Sequence, residues 1–146
     1  QCAAGVLMLK KLNNLNSLRI KRAKKAINIL SKFKELSFND NFENKRHVYH
    51  LLSAYVKPTK KINRNKLIKL LFEKYKIKCA IQYYPLNRYN LFKKNGFGKS
   101  NCPNTDEFFD NMISFPFHVW MKDKEFNYLV NSIKKALIEL DKTKVL

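Results

Sequence analysis

The sequence predicts one α/β domain, in which a long N-terminal helix and further helices pack against one face of a small sheet of two or three strands. The chain has 146 residues, of which 45% are hydrophobic, so it is large enough to bury a core. Apolar residues recur at spacings of three and four in three segments, which is typical of amphipathic helices. Two apolar, aromatic segments, predicted to be strands, flank the middle one of these three helical segments. This strand–helix–strand order is typical of an α/β unit.

Residues 1–36 are predicted to form one long helix that packs into the core. Its apolar residues are separated by Lys and Arg and recur with helical spacing: Leu9, Leu12, Ala23, Ala26, Ile27, Leu30 and Phe33. The following residues, 37–46, are polar and rich in turn-forming residues, so we expect a loop there.

Residues 47–56 are predicted to form a strand, because the segment is β-branched, aromatic and free of internal breakers. Pro58 ends this strand. His50 lies within the apolar run, where a single histidine is more often a packing residue than an acid or base. We therefore give His50 no catalytic role.

Residues 63–76 predict an amphipathic helix, with Asn63 as its N-cap. Its apolar face consists of Leu67, Leu70, Leu71 and Tyr75. A second strand is predicted over residues 79–84. Pro85 ends it, because proline has no backbone N–H to donate to a sheet.

A loop is predicted after Pro85, with Arg88 near its start and the flexible sequence Gly96-Phe97-Gly98 in its middle. Further along the chain, His118 and Trp120 are interpreted as packing residues rather than as chemical groups.

A short helix is predicted after this loop, with either Asn104 or Thr105 as its N-cap. Asp106 would lie in the first turn, where the helix dipole favours an acid. The helix is expected to end before Ser114, and Cys102 is interpreted as a loop residue.

The last predicted helix covers residues 122–140, with Asp123 as its cap, and a short tail follows over residues 141–146. Its buried side is predicted to consist of Phe126, Leu129, Val130, Ile133, Leu137 and Leu140.

The formal net charge of +19 permits two explanations. It could attract nucleic acid or another anionic surface. It could also be a compositional bias, because the lysines are spread along the chain and no run of five or six like charges occurs. We favour the second explanation, so a nucleic-acid partner is not expected.

The three cysteines are an odd number without metal-site spacing, so we expect free thiols, no metal and a cytoplasmic location. No run of 18 apolar residues occurs, and we expect no membrane-spanning segment. The chain begins with Gln inside an apolar helical pattern, and we therefore expect a fragment of a longer protein.

Three short motifs follow one another in the second half of the chain: Tyr83-Tyr84-Pro85, Pro103-Asn104-Thr105-Asp106 and Ser114-Phe115-Pro116. Their order resembles the C-terminal part of the DegT/DnrJ/StrS family of pyridoxal-phosphate-dependent sugar aminotransferases. In that family, a strand ending in a His-Tyr-Pro type motif leads into a substrate-facing loop. A Pro-x-x-(Glu or Asp) helix start and a Ser-Leu-Pro type segment come next. The start QCAAG also resembles the family's helix between its two domains.

The resemblance implies the small C-terminal domain of a fold-type-I transferase. Residues 1–36 would then be the long helix that links from a missing large domain, and residues 37–146 would be the small domain. The cofactor, pyridoxal 5′-phosphate, is held mainly by the large domain in this family, as is the Schiff-base lysine. We therefore expect no catalytic residue in this chain and no activity of the chain alone. The resemblance names no cofactor-binding residue in this chain.

The resemblance also implies a nucleotide-linked keto-sugar substrate and an amino-acid amine donor, in the synthesis of amino sugars and cell-surface polysaccharides. The small domain would contribute a wall of the substrate pocket in a homodimeric parent protein. Tyr83 takes the place of the motif's histidine, and Arg88 is predicted to meet a phosphate or carboxylate. Tyr84 is the third candidate substrate-binding residue, although neighbouring strand residues face opposite ways.

Two other interpretations remain open. A basic nucleic-acid-binding module would concentrate its cations on one face beside exposed aromatic residues. A non-catalytic, truncated remnant would expose an apolar patch where a large domain should dock.

Overall fold

A computed structural model of the chain describes residues 1–39, 45–97 and 100–142. Five α-helices and three strands lie in these residues: α1 (Cys2–Leu30), β1 (Leu36–Ser37), β2 (Leu52–Val56), α2 (Arg64–Glu73), α3 (Asn90–Lys94), α4 (Pro103–Asn111), β3 (Met112–Phe115) and α5 (Asp123–Lys142). A 3-10 turn at Leu86–Arg88 precedes α3. Parts of three predicted segments lie outside the described residues: 40–44 of the loop, Gly98 of the glycine pair and 143–146 of the tail.

The long N-terminal helix is confirmed, but it ends at Leu30 instead of residue 36. The backbone N–H of Ser31 still donates to the carbonyl of Ile27, after which the chain turns. Leu36 then pairs with Val56, and both side chains are buried. Pairing with a distant strand therefore ends the helix, and periodicity along the sequence does not reveal such a contact.

The sheet has the order β1-β2-β3 and is antiparallel throughout. Alternate residues of β2, namely Leu52, Ala54 and Val56, are buried in the main core with residues of α1, α2 and α5. The predicted packing of helices on one face is thus present. On the opposite face, the ring of Tyr55 stacks on Phe108 of the short α4.

The predicted strand 47–56 is shortened to Leu52–Val56. Tyr49 is buried and has a φ of 51°, a left-handed conformation that a bulky residue rarely adopts and that cannot belong to a strand. His50 is exposed, so its interpretation as a packing residue was wrong.

The predicted strand 79–84 was also wrong. Only Ala80 bridges to Ser114, with N–O distances of 2.9 and 2.8 Å, and the remaining residues form no strand. The strand to which Ala80 bridges is β3, which was predicted to be the end of a helix and a loop. All four residues of β3 are buried, so the alternating pattern that identifies a half-exposed strand is missing there.

Helices α2 and α5 lie where their apolar periodicity predicts them. The side chain of Asn63 accepts a hydrogen bond from the N–H of Lys66 at 2.9 Å, which confirms the predicted cap. Asp123 is the first residue of α5 rather than its cap, and Glu125 accepts a bond from the N–H of Lys122 at 2.7 Å.

Candidate functional site

The candidate site is the segment from Ala80 to Tyr89, which leaves the edge of the sheet and turns across α4. Ala80 is bonded to β3, and the N–H of Gln82 contacts the sulfur of Met112 at 3.2 Å. Pro85 is buried, and the carbonyl of Pro85 accepts from the N–H of Arg88 at 3.0 Å. The segment is therefore attached to the domain before and after its two adjacent tyrosines.

The two tyrosines have different surroundings. Tyr83 is 72% exposed, whereas Tyr84 is 44% exposed. The Tyr84 ring packs edge-on against Tyr89 and Phe109, with centroid distances of 4.8 and 5.4 Å. Tyr84 thus anchors the turn, while Tyr83 stays largely exposed. Substrate binding by either residue stays a prediction.

Arg88 contacts two carboxylates of α4. Its Nε lies 2.5 Å from Oδ1 of Asp106, and its two terminal nitrogens lie 2.7 and 3.0 Å from the oxygens of Asp110. The guanidinium hydrogen bond lowers the pKa of the Asp110 carboxyl, and the pKa of Arg88 is raised in return. The prediction that Arg88 meets a substrate anion stays a prediction, but its charge already has partners within the chain.

A second arginine supports the same part of α4. The Arg64 guanidinium donates to the carbonyl of Phe109 at 2.5 Å and lies 5.8 Å from the centroid of the Phe109 ring. The Arg88 guanidinium lies 5.5 Å from the same centroid. Partial burial lowers the pKa of Arg64, and the charge of Asp110 opposes that change. The Phe109 ring therefore packs against two cations, an arrangement that favours both through cation–π attraction.

Arg64, Phe109 and Asp110 were not predicted to be residues of this site. One signal was available, since Asp106 and Asp110 are four residues apart and must share one face of a helix. The predicted N-cap of that helix was wrong: Cys102 occupies the cap position and Pro103 is the first helical residue. Proline suits this position, because its missing N–H would have no partner in the helix there.

Two cavities lie in this half of the domain, and one of them includes residues of the segment. One, of about 460 Å³, is lined by apolar side chains of the following loop, including Leu86, Phe92 and Phe97. The other, of about 320 Å³, lies at the start of β2, and His47 and His50 are among its lining residues. Trp120 was predicted to pack, but its side chain is 69% exposed.

The model of the DegT/DnrJ/EryC1/StrS aminotransferase family matches residues 1–134 of the chain. The chain belongs to this family. The uncharacterized protein MJ1066 of Methanocaldococcus jannaschii is a relative with 30% identity over 139 residues, which cover 84% of this chain and 36% of MJ1066.

Solved structures, among them that of a sugar aminotransferase, have the same fold. Spr1654 of Streptococcus pneumoniae, in its PMP-form, superposes with a TM-score of 0.80 at 23% identity, over 93% of this chain and 34% of its own. PseC of Helicobacter pylori, an aminotransferase of pseudoaminic acid biosynthesis, superposes with a TM-score of 0.80 at 18% identity, over 92% of this chain and 36% of its own. NtdA of Bacillus subtilis, with bound cofactor PMP, superposes with a TM-score of 0.81 at 17% identity, over 94% of this chain and 32% of its own. The chain thus spans about a third of the length of these relatives.

A pyridoxal phosphate site needs a lysine for the Schiff base and a carboxylate for the pyridine nitrogen in one cavity. The cavity at the start of β2 is lined by neither a lysine nor an acid. A smaller cavity beside β3 is lined by Lys78 without a carboxylate. At these two cavities, the residues of this chain therefore do not fit the cofactor by themselves.

Within residues 1–39, 45–97 and 100–142, no group of three or more metal-binding side chains occurs. None of the helices in these same ranges is long and apolar enough to cross a membrane. Cys2, Cys79 and Cys102 are free cysteines.

Proposed function

We propose that this chain is the small C-terminal domain of a pyridoxal-phosphate-dependent aminotransferase that acts on nucleotide-linked keto-sugars. The family match over residues 1–134 is the observation that carries this proposal. The bound PMP of NtdA and the PMP-form of Spr1654 support the cofactor. The similarity to Spr1654, a sugar aminotransferase, and to PseC, an aminotransferase of pseudoaminic acid biosynthesis, supports the substrate class. When bound, pyridoxal phosphate supplies an electron sink for transfer of the amino group.

The catalytic lysine would belong to a large domain that precedes residues 1–36 in the longer protein. In this proposal residues 1–36 link the domains and residues 37–146 form the small domain. Support comes from the relatives, of which the chain spans 32–36%, and from the exposed apolar side chains in the first half of α1, such as Val6 and Leu9. We expect the chain alone to have no transaminase activity.

The contribution of this chain would be a wall of the sugar pocket. Tyr83 is the residue best suited to meet the sugar, because its ring is exposed while its neighbour Tyr84 anchors the backbone. A tyrosine hydroxyl both donates and accepts hydrogen bonds but does not titrate near neutral pH. Tyr83 would therefore orient the sugar rather than move a proton.

The parent protein would use an amino acid such as glutamate as amine donor, act as a homodimer and serve amino-sugar or polysaccharide synthesis. The free thiols of Cys79 and Cys102 support a reducing compartment such as the cytoplasm.

The test uses the longer protein with pyridoxal phosphate, glutamate and a set of nucleotide-linked keto-sugars, and mass spectrometry detects the aminated product. We expect amination of at least one sugar, and the Tyr83→Phe variant should raise its KM about tenfold, the loss of one hydrogen bond. Tyr128→Phe is the matched control, because its hydroxyl donates to the Tyr75 carbonyl on another surface. Absence of product from every sugar, with glutamate and pyridoxal phosphate bound, would contradict the proposal.

A further inference from the structure

We propose that Arg88 is a positioning residue, which holds the Tyr83–Tyr84 turn in place through Asp106 and Asp110 instead of binding a substrate anion. These three residues are called the Arg88 clamp below. The inference rests on the proposed function for its effect on turnover, and on the geometry of the clamp for its effect on structure.

Most of the hydrogen-bond donors of Arg88 are already in use. A guanidinium has five N–H groups, and three nitrogens of Arg88 contact carboxylate oxygens at 2.5–3.0 Å. The contact with Asp110 is bidentate, the geometry that gives arginine–carboxylate pairs their directional strength. An anionic ligand would have to displace one of these carboxylates or share the remaining donors.

The positive charge of Arg88 is offset by neighbouring carboxylates. Asp106 and Asp110 each form an ion pair with Arg88, and the charge of Asp110 also acts on nearby Arg64, whose pKa it raises against the effect of burial. The side chains of Arg88 and Asp106 are only 27% and 29% exposed, so solvent screens this pair less than an open surface pair. Among these four side chains the two negative charges therefore offset the two positive ones.

The Arg88 clamp is connected to the Tyr83–Tyr84 turn through the backbone and through Phe109. Arg88 is bonded through its backbone to Pro85, and its guanidinium lies 5.5 Å from the ring of Phe109. The same ring packs against Tyr84 at 5.4 Å. Phe109 thus contacts both the clamp and the anchor of the turn, and a loss of the clamp should release Tyr84 and with it the orientation of Tyr83.

The structural arm of the test uses the longer protein labelled with 3-fluorotyrosine, and Tyr84→Phe assigns the ¹⁹F resonance of Tyr84. We expect Arg88→Gln and Asp110→Asn each to move this resonance toward the position of an exposed tyrosine. Glu73→Gln is the matched control, since it also removes one carboxylate from an ion pair, with Lys69 at 4.0 Å on the exposed side of α2. An unchanged Tyr84 resonance in both variants would overturn the proposal.

The kinetic arm separates positioning from anion binding. We expect Arg88→Gln and Asp110→Asn each to raise the KM of the sugar about tenfold with kcat retained, and the double variant to be no worse than the worse single one. Loss of folded protein would instead lower kcat at constant KM. The Arg88→Lys variant should also show a raised KM, because an ammonium group keeps the charge but cannot form the bidentate contact of a guanidinium.

Direct anion binding predicts a different set of results. Asp110→Asn would then leave KM unchanged or lower it, because the guanidinium would be freed, and Arg88→Lys would retain most of the affinity; this pattern would overturn the proposal. If the wild-type protein showed no transamination at all, the proposed function would fail, and the ¹⁹F arm alone would decide whether the clamp exists.

Discussion

At the scale of single residues, burial has a measurable chemical consequence at Cys79. Burial raises the pKa of this thiol to about 12, so at pH 8 only about one molecule in ten thousand carries the reactive thiolate. Cys2 is exposed at the start of α1. We expect iodoacetamide at pH 8 to alkylate Cys2 at least a hundredfold faster than Cys79, as followed by peptide mass spectrometry.

Unfolding the chain in denaturant is the control for this prediction, and it should make both cysteines react at similar rates. Equal rates in the folded chain would contradict it. The same pKa gives a sign for stability: the folded state keeps the Cys79 proton to higher pH than the unfolded chain. The contribution of the protonated Cys79 thiol to the free energy of unfolding is therefore complete below pH 9. It is lost as the pH rises toward 12.

Residue-level sequence reasoning succeeded where the cause is local. The cap at Asn63 depends on an N–H only three residues away, so the local sequence was enough to predict it. The partners of Arg88 are 18 and 22 residues distant, and the general expectation of a carboxylate or phosphate partner could not name Asp106 or Asp110. The exposure of Trp120 likewise depends on the packing of the whole chain.

At the scale of elements, the cap of α2 gives a stability test. Asn63→Ala removes the acceptor for the N–H of Lys66, and such losses cost about 1 kcal/mol. Urea unfolding, followed by circular dichroism, should show a lower midpoint with an unchanged slope. Asn63→Asp keeps an acceptor at the cap and serves as the control. A midpoint of Asn63→Ala equal to that of the wild type would show that the bond contributes nothing.

The helices were predictable because their period is visible in the sequence, whereas the strands were not. Helices α2 and α5 each present an apolar face to the core, which produces the spacing of three and four. In contrast, β1 has two residues and β3 is buried on both faces, so neither shows alternation. The apolar segment 79–84 looked like a strand, yet it contributes a single bridge, because the chain leaves the sheet to form the candidate site.

At the scale of the whole molecule, the charge of +19 is distributed rather than focused. Exposed lysines occur on every helix except α4, for example Lys24 on α1, Lys69 on α2, Lys93 on α3 and Lys135 on α5. A dedicated nucleic-acid surface would instead concentrate cations along one groove beside stacking rings. The distribution favours the compositional explanation of the charge and sets the expectation for a binding test.

We expect the chain to bind a random single-stranded oligonucleotide at low salt and to release it at about 150 mM, where charges further apart than about 8 Å are screened. Fluorescence anisotropy measures this binding, and polyglutamate of matched charge is the control competitor. Because spread lysines attract any polyanion, polyglutamate should compete as well as unlabelled oligonucleotide does. Binding that survives 150 mM salt and resists polyglutamate would require base stacking or a focused groove, and the nucleic-acid interpretation would then replace the compositional one.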